Sequence, residues 1–383
     1  MSNKPKLVLI PSAQGTKFYS VAPLSGVGDF TFSRSGSATR TNSQGLIETV
    51  ESGISRLNYN LISGSVAGCP HHILEPQRTN LIIESQDYSD SGWVVFDATK
   101  EPNTIIDPSD TNTGCRVTAT SGGNKVIQQV VTVTADPTNA RVYTGSIYIK
   151  SSNTTSCSLR VGDTTTGSQE SITISDKWQR FDRQYTLGAT FTSIRLGVIL
   201  DNEDDVIDIA FGQVELGNYA TSYIPTQGSI ATRNAETCDS DFSSLPTVAN
   251  TNTVLLKFIP MGIDTDFYEL LRFSDGSNEI ALEGFAPTNY DIYGSGLLSS
   301  GMVDGALSLN AGSINTISFS YSGTSLRFSH NGSTIATTTP TGNLPTITEI
   351  SHSVGGLNPI KIIKLEVYND FKTQQELNSL TSL

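Results

Sequence analysis

The chain has 383 residues, more than a single hydrophobic core usually organises, so about two or three domains are expected. Only 16% of residues are charged, and 33 glycines and 15 prolines punctuate a sequence rich in Ser, Thr and Asn, a mix that favours strands and tight turns over long helices. A net charge of -13 repels a phosphate backbone and leaves DNA and RNA poor partner candidates, and no stretch reaches the roughly 18 consecutive apolar residues of a membrane span, so membrane insertion is not expected.

From residue 1 to about 90 the pattern is irregular, with short strands predicted at Lys6 to Ile10, Asp29 to Ser33 and Gly45 to Val50 between Gly and Ser clusters. This block lacks an obvious core of its own, and its opening apolar run is too short for a secretory signal, which implies synthesis in the cytoplasm. From about 91 to 226 alternation predicts strands at Lys125 to Thr134, Arg141 to Lys150, Cys157 to Val161, Ser171 to Ile174, Gln179 to Thr186, Ser193 to Leu200 and Val206 to Leu216. Strands at this spacing, broken by turn residues, signal a sandwich or jelly roll.

Polar, turn-rich sequence then places a linker at 227–250. A second sandwich is predicted over 251–383, with strands at Thr253 to Pro260, Tyr268 to Phe273, Glu279 to Gly284, Asn289 to Tyr293, Ala306 to Leu309, Asn315 to Ser322, Ser325 to His330, Ser333 to Thr339 and Ile360 to Tyr368. Asn331-Gly332 is a type I′ hairpin signal, because both residues tolerate positive φ. Thr373 and Glu376 form a capping box ahead of Leu377, Leu380 and Leu383 at helical spacing, so one short C-terminal helix should close the sandwich. The fold class is therefore all-β: a short-strand N-terminal block and two β-sandwiches.

The sequence contains no G-x-S-x-G, P-loop, H-E-x-x-H or dinucleotide-binding motif. Cys69, Cys115, Cys157 and Cys238 lie far apart without a C-x-x-C pair, which predicts free, mostly buried thiols. Cys69, His71 and His72 sit close together, but neighbouring side chains of an extended chain diverge, so an ordered loop is the plainer reading. Asp201, Asp204 and Asp205 supply closely spaced hard oxygens that could hold a structural Ca²⁺, or simply close a solvated hairpin; no other cofactor is required. Glu269 and Glu283 could serve a glycoside hydrolase only if the fold held them a fixed distance apart; nothing in the sequence brings them together, and surface charge on strands is the better reading. Trp93 and Trp178 adjoin apolar strand residues and read as core. Tyr268, Tyr290 and Tyr293 are the candidate carbohydrate platform, since a sugar needs an exposed aromatic face.

Three stretches carry a resemblance. FTFSRSGSATRTNSQGLIETV at Phe30 to Val50, SRLNYN around Arg56 to Tyr59, and GCPHHILEPQRTNLI at Gly68 to Ile82 resemble the N-terminal block of bacteriophage tail and other virion proteins, in which "TRxNxxGLIE" precedes "RLDY" and "LLEPQRTNL". Trp93 to Val214 looks like a carbohydrate-binding-module jelly roll in which Trp178 is a core strand residue, and Gln213 to Glu236 is similar to the "TSYIPTxGxxxTRxAD" tail that follows such modules. The end, KIIKLEVYNDFKTQQELNSLTS, resembles the closing strand and helix of laminin-G or concanavalin-like sandwiches. The family pattern departs at Asn58, where the relatives have aspartate.

The resemblance implies a non-enzymatic virion structural protein, a fibre, tail appendage or capsid decoration displayed on the virion surface. Its implied partners are other virion proteins, a host-surface glycan and further copies of itself, in a trimer if fibre-like; the alternative is a tail-associated glycan depolymerase. Residues 1–90 would be the docking block, and Arg40, Arg56, Glu75 and Arg78 would pair charges between that block and the jelly roll.

Overall fold

A computed structural model describes residues 4–22, 25–136, 138–241, 243, 251–261, 268–285, 289–294, 302–307, 309, 312–323, 325–339, 342, 344–354 and 360–382. The described residues form antiparallel sheets throughout, with one short helix at Gln374–Thr381, so the chain is all-β.

The jelly roll forms where the alternation predicts it. One five-stranded sheet runs in the order Ala98–Ile105, Gly114–Ala119, Val206–Leu216, Arg141–Lys150, Gln179–Leu187; the other runs Gly167–Thr173, Ser156–Gly162, Ser193–Ile199, Val126–Thr132, Trp93–Phe96. Inward-facing Ile127, Leu159, Leu196, Ile209 and Val214 fill the space between them, joined by Trp93, which is buried and donates its indole N–H to the Glu84 carbonyl at 2.7 Å. Ile82 and Tyr88, from the block expected to be separate, belong to this core.

The second sandwich is built from both ends of the chain, which corrects the expected division. Leu7–Gln14 pairs with Lys17–Ala22 on one side and with Ile360–Tyr368 on the other. Phe30–Ser33 pairs with Lys17–Ala22 and with Thr237–Asp241, which in turn pairs with Glu349–Val354. The N-terminal strands thus occupy the space between two strands of the C-terminal sandwich, and Leu7, Leu9, Phe30 and Phe32 share one core with Leu256, Phe258, Phe273, Phe328 and Leu365. The interval 227–250 is also more than a linker, because Ala231–Arg233 pairs with Arg78–Asn80 and Thr237–Asp241 is a strand inside the sheet. The jelly roll is therefore an insertion between the first and last strands of the other sandwich. Each N-terminal strand has an apolar side but no neighbour nearby in sequence to cover it, and only a distant partner can bury that side.

Local signals hold where their chemistry is local. Asn331 and Gly332 take φ of +47° and +80° and connect Ser325–His330 to Ser333–Thr338. Thr373 and Glu376 satisfy each other's backbone amides at the helix start, and Leu377 is fully buried. Three of the four thiols, Cys115, Cys157 and Cys238, are buried; Cys69 is exposed.

Candidate functional site

At the junction between the two sandwiches, charged residues from strand ends meet out of water. Arg34 follows Phe30–Ser33, Arg56 precedes Leu57–Ile62, Glu75 follows Ser65–Leu74, Arg233 ends Ala231–Arg233 and Glu236 precedes Thr237–Asp241. All five are buried. Arg56 donates to Glu236 through Nη2 at 2.5 Å and Nε at 2.8 Å, to Glu75 at 2.8 Å, to the Thr39 carbonyl at 2.6 Å and to Ser222 Oγ at 2.7 Å. Arg34 reaches Glu236 at 2.7 Å, and Arg233 reaches Glu75 at 2.9 Å and the Pro76 carbonyl at 2.5 Å. Ser222 donates its amide and hydroxyl to Glu75 at 2.7 and 2.5 Å, and the Glu75 amide donates to Glu236 at 2.9 Å.

Burial by itself would raise the Glu75 carboxyl, but Arg233, Arg56 and Ser222 hold it far below the usual carboxylate range. Burial would likewise lower the Arg56 guanidinium, and Glu236 with Glu75 reverses this and raises it. Arg34 ends lower than usual, because its burial outweighs Glu236. A buried charge cluster persists only when every member is paired and hydrogen-bonded, and these partners meet that requirement. With their oxygens engaged by arginines and, for Glu75, by Ser222, these two carboxylates tie the strand ends together.

Of the charges assigned to this junction, Arg56 and Glu75 lie at its centre. Arg78 donates to the Tyr219 hydroxyl at 2.7 Å, stacks on that ring at 5.0 Å and lies 3.9 Å from buried Glu215 of the jelly roll. Arg40 does something else: it pairs with Glu48 at 2.6 Å across its own hairpin, Ala38–Thr41 with Ile47–Val50, and is partly exposed. Sequence reasoning missed Arg34, Arg233 and Glu236, although all three lie inside the stretches that carry the resemblance.

A small apolar cluster, Ile47, Tyr148, Ala210, Phe211 and Tyr223, seals one side of the junction. It exists because Val206–Leu216 carries an extra residue opposite Arg141–Lys150: Ser146 faces Gln213 while Tyr148 faces Ala210, and Phe211 takes φ of +57°. The bulge places the Phe211 ring flat on Tyr223, with centroids 4.3 Å apart. Trp178 packs partly against this cluster from the loop before Gln179–Leu187, with Lys150 over its ring at 4.6 Å, so it is not the core strand residue the resemblance implied.

Adjoining the charge cluster is a cleft with two lobes of about 120 and 310 Å³. Thr41, Asn58, Tyr148, Arg180 and Lys361 line both, brought together from the N-terminal hairpins, the jelly roll and the last strand. Asn58 accepts from the Thr41 amide at 2.8 Å, donates to the Tyr59 carbonyl at 3.2 Å and lies 3.3 Å from His71 Nε2. Burial, then Lys361, depresses His71 to about 3, so its ring is neutral.

The other sequence candidates lie elsewhere. Tyr293 is half-buried opposite Ala281, and the side chains of Tyr268 and Tyr290 fall outside the described residues. Asp201 accepts from Ser156 at 3.1 Å, Asp205 accepts from the Asn202 amide at 2.7 Å, and Asp204 is exposed with φ of +65°. These carboxylates serve the turn separately, and among the described residues no three His, Cys, Asp or Glu side chains gather to hold a metal ion. His71 and His72 are buried and Cys69 is exposed, so the three do not converge either. Glu269 and Glu283, expected to be scattered surface charge, are buried register partners on adjacent strands. Burial raises Glu269, with Arg272 3.6 Å away opposing it.

No protein-family model matches the sequence, and no curated protein matches it. Among solved structures, the chain is similar to the carbohydrate-binding module of a Ruminococcus gnavus sialidase bound to α2,3-sialyllactose (14% identity, 38% of this chain and 92% of that one, TM-score 0.29). It is also similar to domain 4 of the extracellular arabinanase AbnA from Geobacillus stearothermophilus (16%, 43% and 82%, 0.31) and to the tandem carbohydrate-binding modules of Paenibacillus barcinonensis Xyn10C (11%, 75% and 97%, 0.28). These overlaps are slight, and the fold stands on the strand pairing itself.

Proposed function

We propose that the chain is a non-catalytic structural protein of a bacteriophage particle, a fibre, tail appendage or capsid decoration, that holds a host-surface glycan in the junction cleft. The observation that carries this reading is the placement of the resembling stretches. Arg34, Arg56, Glu75, Arg233 and Glu236 come from four segments within them, Phe30 to Val50, Arg56 to Tyr59, Gly68 to Ile82 and Gln213 to Glu236, and all meet in one buried cluster that fastens jelly roll to sandwich. The resemblance therefore follows the residues that build this architecture, and virion proteins are the class in which the stretches recur.

The cleft suits binding more than bond cleavage. Its larger lobe offers Asn58, Asn60, Gln179 and Tyr148 for sugar hydroxyls beside the ring of Phe181, and its lining contains no pair of carboxylates for acid and nucleophile. Single sites of this kind bind weakly, and many copies on a virion surface, in a trimer or a larger array with other virion proteins, would raise avidity without new contacts. A second reading, glycan depolymerisation, draws on Glu269 and Glu283, since directly opposed residues on antiparallel strands have Cβ atoms about 5 Å apart. Labelling intact particles with an antibody to this chain tests the first reading: signal on head or tail supports it and its absence removes it. Release of reducing ends from envelope polysaccharide, lost in Glu283→Gln, would establish the second.

A further inference from the structure

We infer that the junction cleft selects an anionic saccharide, one whose sugar carries a carboxylate, and that Lys361 and Arg180 receive its charge; this rests on the glycan reading above. The chain carries a net charge of -13, yet the lining common to both lobes contains two cations and no acid. Neither cation has an ion-pair partner among the described residues. Lys361 Nζ donates to the Asn60 side-chain oxygen at 3.0 Å. Arg180 donates to the Thr221 carbonyl at 2.6 Å and to Ser146 Oγ at 2.9 Å.

Glu75 is the acid whose field reaches Lys361, but its oxygens are taken by Arg56, Arg233 and Ser222. Lys361 is therefore a half-buried ammonium without an ion-pair partner among the described residues; burial lowers its proton affinity, and Glu75, beyond ion-pair distance, opposes this. An incoming carboxylate would supply the missing counter-charge. Tyr148 points the same way: it is only 5% exposed, lies in both lobes beneath the Arg180 guanidinium at 5.8 Å, and its hydroxyl bonds to no described residue. That hydroxyl opens onto the cleft, where a ligand or water can bond to it. A bare anion would use the cations alone, whereas a sugar also engages Tyr148, Asn58 and Gln179.

The test is calorimetric titration of the full chain with three probes: a uronic-acid oligosaccharide, the same oligosaccharide with its carboxyls reduced to alcohols, and the free monosaccharide uronate. The expected result is binding of the first, at least tenfold weaker binding of the second and third, and affinity that falls steeply with added salt. Lys361→Met should retain the thermal stability of the parent, because it removes a half-buried charge that no ion pair holds among the described residues, while losing at least tenfold in affinity for the acidic oligosaccharide. Equal binding of the acidic and reduced forms, both weakened by Tyr148→Phe, would keep the glycan reading and overturn the acidic preference. Equal binding of the free uronate and the oligosaccharide would reduce the site to a simple anion site and overturn the saccharide part. Binding of none of the probes would overturn both readings, and undiminished binding by a folded Lys361→Met would place the ligand elsewhere and overturn the assignment.

Discussion

Arg56 and Glu236 are 180 residues apart in the chain and 2.5 Å apart in the structure, and the intervening residues include the whole jelly roll. The pair lies where the jelly roll is inserted into the second sandwich, so its loss should be felt by both bodies. Glu236→Gln leaves Arg56 and Arg34 buried with less counter-charge, and roughly 3–5 kcal/mol of stability should be lost in chemical denaturation. Arg40→Ala, which removes only the partly exposed pair with Glu48, should change stability by less than about 1 kcal/mol. Equal effects from the two variants would contradict the central place of the buried cluster.

Acid should weaken the fold in two stages. His71 has a folded proton affinity depressed to about 3 from 6.5, so the unfolded chain binds the extra proton and stability declines as pH falls from about 6.5 towards 3. Glu75 is also depressed; its contribution is complete above its unfolded value of 4.5 and disappears as pH falls through its lower folded value. Urea midpoints at pH 7, 5.5 and 4 should therefore decrease in that order. His71→Asn should flatten the decline from pH 7 to 5.5 and reduce it from 5.5 to 4, leaving there the part that Glu75 contributes below its unfolded value.

The division of the chain predicts how fragments behave. Residues 81–226 contain both jelly-roll sheets and their core and should fold alone, with dispersed amide resonances. Residues 251–383 lack Leu7–Gln14, Lys17–Ala22, Phe30–Ser33 and Thr237–Asp241, which join Ile360–Tyr368 to Glu349–Val354, and should remain unfolded or aggregate. In the intact chain Leu9→Ala should cost roughly 2–5 kcal/mol, as for any fully buried leucine, although it lies in a segment with little core of its own.

Gly212 sits against the indole of Trp93, where an added Cβ would lie 2.9 Å from the ring. Gly212→Ala should push the indole from its place, lower the melting temperature and shift Trp93 emission to the red. An unchanged spectrum would mean that the neighbouring bulge at Phe211 absorbs the extra methyl group.

The strands that the sequence marks most clearly are those whose signal is local. Arg141–Lys150 and Val206–Leu216 carry long alternating runs bounded by turn residues, and both form over the predicted spans. The hairpin at Asn331-Gly332 and the cap at Thr373 need only neighbouring atoms, and both appear. Leu57–Ile62 and Ser65–Leu74 escaped notice although they form a local hairpin, because their polarity is mixed and most of their residues are partly or fully exposed; Thr237–Asp241 escaped because it is short and polar and its partners, Phe30–Ser33 and Glu349–Val354, lie more than a hundred residues away.

Alternation and turn chemistry thus determine that the chain is all-β and that its middle third is a sandwich or jelly roll, and the resemblance implies that Arg56 and Glu75 serve structure. They cannot determine that the first strands complete the last sandwich, because alternation tells a strand which side to bury and not which strand will lie beside it. Nor can they show the cleft. Lys361, Arg180 and Tyr148 carry no shared motif and lie far apart in sequence; the insertion of one sandwich into the other brings their side chains to one place, and two half-buried cations without ion-pair partners among the described residues give that place its chemistry.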